Sequence, residues 1–128
     1  MTRPGRVLCD THILLWALAE PERLSRRAIE TLEQSEVFVS AASIWEIAIK
    51  AGIGRIVCDP DQVADAVESV GFRHLPVLAE HAARVAKLPL VHRDPFDRLL
   101  IAQGQCEGMP LLTADETLAA YGSDVEIV

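Results

Sequence analysis

Short runs of β-forming residues, each ended by a polar residue and followed by a longer stretch of helical period, most narrow what this chain can fold into. Val7-Leu8-Cys9 stops at Asp10, and Thr11 to Ala19 then reads as a helix that ends near Pro21. Ser25 opens a second helix with Ala28, Ile29 and Leu32 as its apolar positions, and Val37-Phe38-Val39 is a second strand. Ser40 and Ser43 lead into a helix reaching about Ala51, stopped by Gly52 and Gly54. Pro60 starts a helix with Val63, Ala66, Val67 and Val70 on one face, and Phe72 to Leu75 is a weak strand. Ala79 to Leu88 and Asp94 to Glu107 are helical, the latter stopped by Gly108. Pro110 to Thr113 is a strand, Asp115 to Tyr121 a short helix, and Val125 to Val128 a closing strand. Strands interleaved with helices require right-handed crossovers and a parallel sheet covered on both faces. The expected class is therefore α/β, a three-layer α/β/α sandwich with a central parallel sheet. With 128 residues and no repeat or linker, one domain over residues 1–128 is expected.

Composition removes several classes of function. Half the residues are apolar, enough for a substantial core. Lys and Arg number 12 against 19 Asp and Glu, a net charge of −7, which argues against a diffuse basic surface holding nucleic acid. Cys9, Cys58 and Cys106 are odd in number and far apart, so neither a disulfide framework nor a thiolate zinc site is expected, and a cytoplasmic setting fits. Asp10 and His12 interrupt the first apolar stretch, and no segment approaches the ~18 to 20 apolar residues of a membrane span.

In an open parallel sheet, ligands bind beyond the carboxyl ends of the strands. Asp10 directly follows the first strand, Ser40 the second, and Asp115 comes one residue after Leu111-Leu112-Thr113. Asp94 and Asp97 are three apart at a helix start and share a face. Each of these acids also suits a plain helix cap, and Asp94-Pro95-Phe96-Asp97 has the form of one. Glu46 is different, because it lies inside Ala41-Ala-Ser-Ile-Trp-Glu-Ile-Ala-Ile49 where no cap is needed. Pairing with Lys50 is its ordinary alternative, but Trp45, Ile47 and Ile49 leave little surface for such a pair. Glu46 should then have either a raised pKa or a cation beside it.

Carboxylates gathered at one site repel and require a countercharge. No Lys or Arg run stands beside Asp10 or Asp115, which leaves a divalent metal, and oxygen-only ligands point to Mg2+ or Mn2+ rather than zinc. Leaving Asp10, Glu46, Asp97 and Asp115 out of the 19 acids reduces the net charge to −3, so much of the acidity would be the site itself.

The segments Cys9-Asp10-Thr11-His12, Ser40 to Lys50 with Trp45-Glu46, His92-Arg-Asp-Pro-Phe-Asp97-Arg98 and Leu112-Thr113-Ala-Asp115, in this order, resemble a PIN domain, and more closely the VapC-type toxins of bacterial toxin–antitoxin pairs. The resemblance runs from about Val7 to the C-terminus. It implies a metal-dependent ribonuclease cutting RNA to 3′-hydroxyl and 5′-phosphate ends, with a cognate antitoxin as partner and a homodimer as a common assembly. Carried over position by position, Asp10, Glu46, Asp97 and Asp115 are the catalytic and metal-binding acids, with Asp94 a helper or cap. Thr11, Ser43 and Thr113 match small hydroxyl positions that orient acids or water. Gly104 departs from the family's more usual Ala and should cost the helix about 1 kcal/mol without touching the chemistry.

Other residues carry plainer expectations. His12 and His92 adjoin the acidic motifs; Ile13 and Leu14 beside His12 suggest packing or a backbone bond. Arg93 and Arg98 flank the Asp94/Asp97 turn and suit either a phosphate contact or neutralisation of those acids. Leu15, Trp16, Leu18 and Trp45 suit core and interface equally. A phosphatase of the haloacid dehalogenase type also places Asp after its first strand, but needs a second acid where His12 stands. A response-regulator module would want paired acids before the first strand's acceptor and a Lys near the last strands, and neither is present. A catalytically inactive PIN-like domain that binds an antitoxin or RNA is the remaining alternative.

Overall fold

The computed structural model describes residues 5–128. Five strands, β1 (Arg6–Cys9), β2 (Glu36–Ser40), β3 (Arg73–Leu75), β4 (Leu111–Thr113) and β5 (Val125–Ile127), form one sheet in the order β3-β2-β1-β4-β5. Every pairing is parallel, with Cys9 opposite Val39 on one side and Leu112 on the other. The helices are α1 (Thr11–Ala19), α2 (Arg26–Gln34), α3 (Ala41–Gly52), α4 (Pro60–Ser69), α5 (Ala79–Arg84) and α6 (Pro95–Glu107). This is the expected three-layer α/β/α arrangement.

The period of two along the strands sorts the core into two halves. Leu8, Phe38, Leu111 and Val125 face one layer, where Leu100 and Ile101 of α6 meet Leu118 and Tyr121. Val7, Cys9, Val37, Val39 and Leu112 face the other, against Ile13 and Leu14 of α1, Ile47 of α3 and Val67 of α4. Each fully buried aliphatic side chain contributes roughly 1.5–3 kcal/mol. Cys9 is buried in the second half, and all three cysteines are free thiols. Among the described residues no helix is long and apolar enough to cross a membrane.

Two expected helices differ in kind. The stretch after α5 tightens into a 3-10 turn over Val85–Lys87 before Leu88. The segment after Asp115 is 3-10 throughout Glu116–Asp124, broken at Gly122, whose φ of 66° no ordinary L-residue holds cheaply. With β4 and β5 adjacent and parallel, this short connection must fold back tightly, and apolar Leu118 and Tyr121 pin it to the core.

Gly104 is the third difference. A Cβ there would stand 2.5 Å from the Met109 backbone oxygen. The same glycine's carbonyl accepts from Met109 N at 2.9 Å, while Gly108 (φ 70°) takes the left-handed turn that ends α6 and leads into β4. Glycine is therefore required by the close approach of backbone to helix. We expect Gly104→Ala to lower stability by roughly 1–3 kcal/mol, despite a helix-propensity gain of about 1 kcal/mol. The midpoint of urea unfolding measures this, and an unchanged or raised midpoint would contradict it.

Candidate metal centre

The strand order reverses between β1 and β4: the chain moves outward to β2 and β3, then returns to the other side of β1. Such a reversal opens a crevice at the carboxyl ends of the two central strands. Asp10 follows β1 there, and Asp115 follows β4.

Asp10 is only 4% exposed. Its Oδ1 accepts from Ile13 N at 2.8 Å, capping α1, and its Oδ2 accepts from the Thr113 hydroxyl. Cap and site acid are thus one group. Burial pushes its pKa up, the bonds from Thr113 and Ile13 pull it down, and the field of Asp115 adds to the rise. The buried Thr113 oxygen also accepts from Asp115 N at 3.0 Å, so one hydroxyl ties the ends of both central strands together.

Asp115 is exposed, and its Oδ1 accepts from the Thr117 hydroxyl at 2.6 Å and Thr117 N at 3.0 Å, which hold its pKa low. Asp97, in the first turn of α6, sits closer to the protein interior. Burial and the neighbouring Asp94 push its pKa up to about 6, against an opposing pull from His92. His92 Nε2 lies 2.8 Å from Asp97 Oδ2. Ligand-capable atoms of His92, Asp97 and Asp115 all fall within 4.8 Å of one another. His92 was not among the site residues expected from the sequence; its signal is its place five residues ahead of Asp97, on the loop that enters α6.

Glu46 joins this group indirectly. Its Oε1 accepts from the Thr11 hydroxyl at 2.6 Å, with the Ser43 hydroxyl 3.1 Å from that of Thr11, and Thr11 directly follows Asp10. Its Oε2 lies 2.8 Å from Lys50 Nζ. The cation expected beside Glu46 is therefore Lys50, and the crowding expected to prevent that pair is absent. At 100° per residue Trp45 and Ile49 point outward, 61% and 41% exposed, while Glu46 and Ile47 turn inward. Trp45 meets Phe96 edge to face at 5.3 Å.

Two neighbouring residues, His12 and Arg98, depart from expectation. His12 is exposed and, with Asp10, Trp16, Ala114 and Asp115, lines a shallow cavity of about 220 Å³ at the mouth of the crevice, so it is not packed in the core. Arg98 pairs with neither Asp94 nor Asp97. Its buried guanidinium donates to the carbonyls of Pro89, Val85 and His92 and to the Tyr121 hydroxyl, clamping the loop before α6. Asp94 is a cap, its Oδ1 accepting from Phe96 N and Asp97 N. Arg93 is exposed and makes no ion pair among the described residues.

These groups suit a divalent cation. Three carboxylates border the crevice, two of them, Asp10 and Asp97, disfavoured as anions by burial and by neighbouring acids, and no Lys or Arg nitrogen among the described residues pairs with Asp10, Asp97 or Asp115. A bound cation would supply the missing charge.

Comparison with known proteins agrees with the fold. Residues 7–123 match the PIN domain family. The chain is 36% identical over 122 residues to Ribonuclease VapC22 of Mycobacterium tuberculosis (strain ATCC 25618 / H37Rv), covering 90% of this chain and 91% of that one. Among solved structures, VapBC2 from Rickettsia felis bound to a DNA fragment from their promoter superposes with TM-score 0.69 at 11% identity, over 96% of this chain and 97% of that one. A toxin–antitoxin complex from Klebsiella pneumoniae superposes with TM-score 0.63 at 19% identity, covering 91% and 93%.

The raised pKa of Asp97 has a thermodynamic consequence. An unfolded aspartate titrates near 4 and the folded one at about 6, so between those values the folded chain binds more protons. Its contribution to stability is full below the unfolded value and is lost as pH rises through about 6. In metal-free protein, Asp97→Asn, which keeps an acceptor for His92, should therefore raise Tm at pH 7.5 and lose that advantage toward pH 4. Divalent metal binding should weaken as pH falls through the same range. Parallel Tm profiles for the two proteins across pH 4 to 8 would contradict this assignment.

Proposed function

The chain belongs to the PIN domain family, and on that footing we propose that it is a Mg2+- or Mn2+-dependent endoribonuclease, the toxin of a type II toxin–antitoxin pair. The observation that carries this reading is the grouping of Asp97 and Asp115 at the reversal of the sheet, with Asp10 lining the same crevice beside Asp115 and no Lys or Arg among the described residues paired with any of the three. Asp97 and Asp115 offer free carboxylate oxygens to an ion, Asp10 completes the floor of the site, and Glu46 borders it through Thr11. When bound, a divalent ion supplies a more acidic water and positive charge for a phosphodiester oxygen.

The chain's own groups set the geometry. Thr113 holds Asp10 and the Asp115 backbone in register, so the carboxylates ending β1 and β4 keep their separation as charge changes between them. Thr11 and Lys50 engage both oxygens of Glu46, and Thr11 directly follows Asp10 in the chain. Arg98 ties the loop that carries His92 to α6, the helix that carries Asp97.

The name of the 36%-identical relative supports RNA as substrate, and the Klebsiella pneumoniae complex supports an antitoxin partner. A net charge of −7 makes long-range attraction to RNA weak, so recognition rests on local shape and unpaired bases rather than on a basic surface. We further propose a single cytoplasmic domain that dimerises and leaves 3′-hydroxyl and 5′-phosphate ends.

Incubation of purified protein with total RNA tests the reading. Discrete cuts should require Mg2+ or Mn2+, stop with EDTA, and fall at least ~100-fold in Asp115→Asn or Asp10→Asn. Asn is as good an N-cap as Asp, so both variants should keep the fold. Wild-type cleavage by Asp115→Asn would refute the site. Metal binding without any cutting would favour the inactive interaction domain.

A further inference from the structure

His92 and His81 are both histidines beside a carboxylate, but their ring nitrogens are committed differently. His81 is fully buried; its Nδ1 accepts from Leu78 N at 3.0 Å, and its Nε2 lies 3.0 Å from Glu107 Oε2. Neither nitrogen is left for a ligand, so Glu80, His81 and Glu107 form a structural cluster between α5 and α6 despite their metal-compatible spacing. His92 is only half-buried, and among the described residues its Nδ1 meets no partner. The proton can therefore reside on Nδ1, facing water, and leave the Nε2 lone pair free toward Asp97 and Asp115.

The backbone of His92 is also held in place. Arg98 donates to its carbonyl oxygen at 3.4 Å and to that of Pro89 at 2.8 Å, and Asp94 caps the helix that follows. A buried guanidinium is an expensive way to fix a surface loop unless that loop must present a side chain accurately. What the loop presents is an imidazole nitrogen 2.8 Å from Asp97 Oδ2, in the same 4.8 Å group as an oxygen of Asp115.

Taking the metal-site reading above as its basis, we propose that His92 is itself a metal ligand, through Nε2, so that the site carries one nitrogen among its carboxylates. In the metal-free chain with Asp97 ionised, Nε2–H donates to Asp97. On metal binding that proton leaves Nε2, by release or by transfer of the protonated position to Nδ1. A nitrogen donor favours ions later in the divalent series, so the site prefers Mn2+ to Mg2+ by more than an all-oxygen site would.

Pulsed electron paramagnetic resonance of the Mn2+-loaded full chain reads this directly, together with Mn2+ and Mg2+ titrations by calorimetry. The wild type should show coupling to a directly bound nitrogen. His92→Gln, whose amide still donates to Asp97 but offers no imidazole, should lose that coupling. It should bind Mn2+ at least ~10-fold more weakly, with a smaller change, under about 3-fold, for Mg2+. His12→Gln controls for the other histidine at the mouth and should leave the coupling intact. Absence of nitrogen coupling in the wild type overturns the proposal, as does coupling that survives His92→Gln or vanishes in His12→Gln. Metal-dependent RNA cleavage abolished by Asp115→Asn, alongside an all-oxygen Mn2+ spectrum, would leave the nuclease reading standing and remove only His92. Failure to bind Mn2+ at all would overturn both.

Discussion

Everything at this site follows from where a parallel sheet reverses its order. Because β1 is the first strand and β4 returns to its free side, the residues after Cys9 and Thr113 are forced side by side. In this chain both continuations are acidic. The sheet therefore holds like charges together against their repulsion, and the backbone ladder and the two apolar half-cores supply the energy for it. The Thr113 hydroxyl makes the juxtaposition specific: it donates to Asp10 and accepts from Asp115 N, so neither strand can slip without leaving a buried polar group unpaired.

Around that pair, each acid is treated differently by its surroundings. Asp115 stands in water with two donors from Thr117 and stays readily ionised. Asp10 and Asp97 are held in less water, Asp10 with Asp115 and Asp97 with Asp94 as charged neighbours, and are reluctant to ionise. Glu46 has Lys50 of its own and is satisfied without any added ion. The unmet negative charge thus lies on the Asp10, Asp97 and Asp115 side of the crevice, which is where His92 also points its ring.

The fold was legible because its signals are local. Strand runs ended by Asp10, Ser40 and Thr113, and helices bounded by Pro and Gly, need no tertiary knowledge to read. The caps at Asp10, Asp94 and Asp115 were visible for the same reason, and the structure makes Asp10 both cap and site member. What was not legible depends on which way a side chain faces once the layers pack. Trp45 and Ile49 read as crowding around Glu46, yet helical phase sends them outward. Arg98 read as a partner for acids or phosphate, yet α6 turns it into the core, where the carbonyls of Val85 and Pro89 accept its protons. Gly104 read as a weak point in a helix because nothing in sequence reveals that Met109 returns onto it.

The fate of the cations bears on how an acidic chain could meet a polyanion. Lys50 is bound to Glu46, Arg73 to Glu36, Arg26 to Glu30, and Arg23 lies on Glu20 and over the Trp16 ring. Arg98 is sealed inside. Near the crevice, among the described residues, Arg93 is exposed beside His92 and His12 lies at the mouth. Neither of these described groups pairs with the carboxylates of the crevice. On the proposed reading the chain's own charges therefore repel the substrate until an ion binds, and reverse that local field once it does. Ion and substrate binding would then be coupled through electrostatics alone, each favouring the other by the same factor.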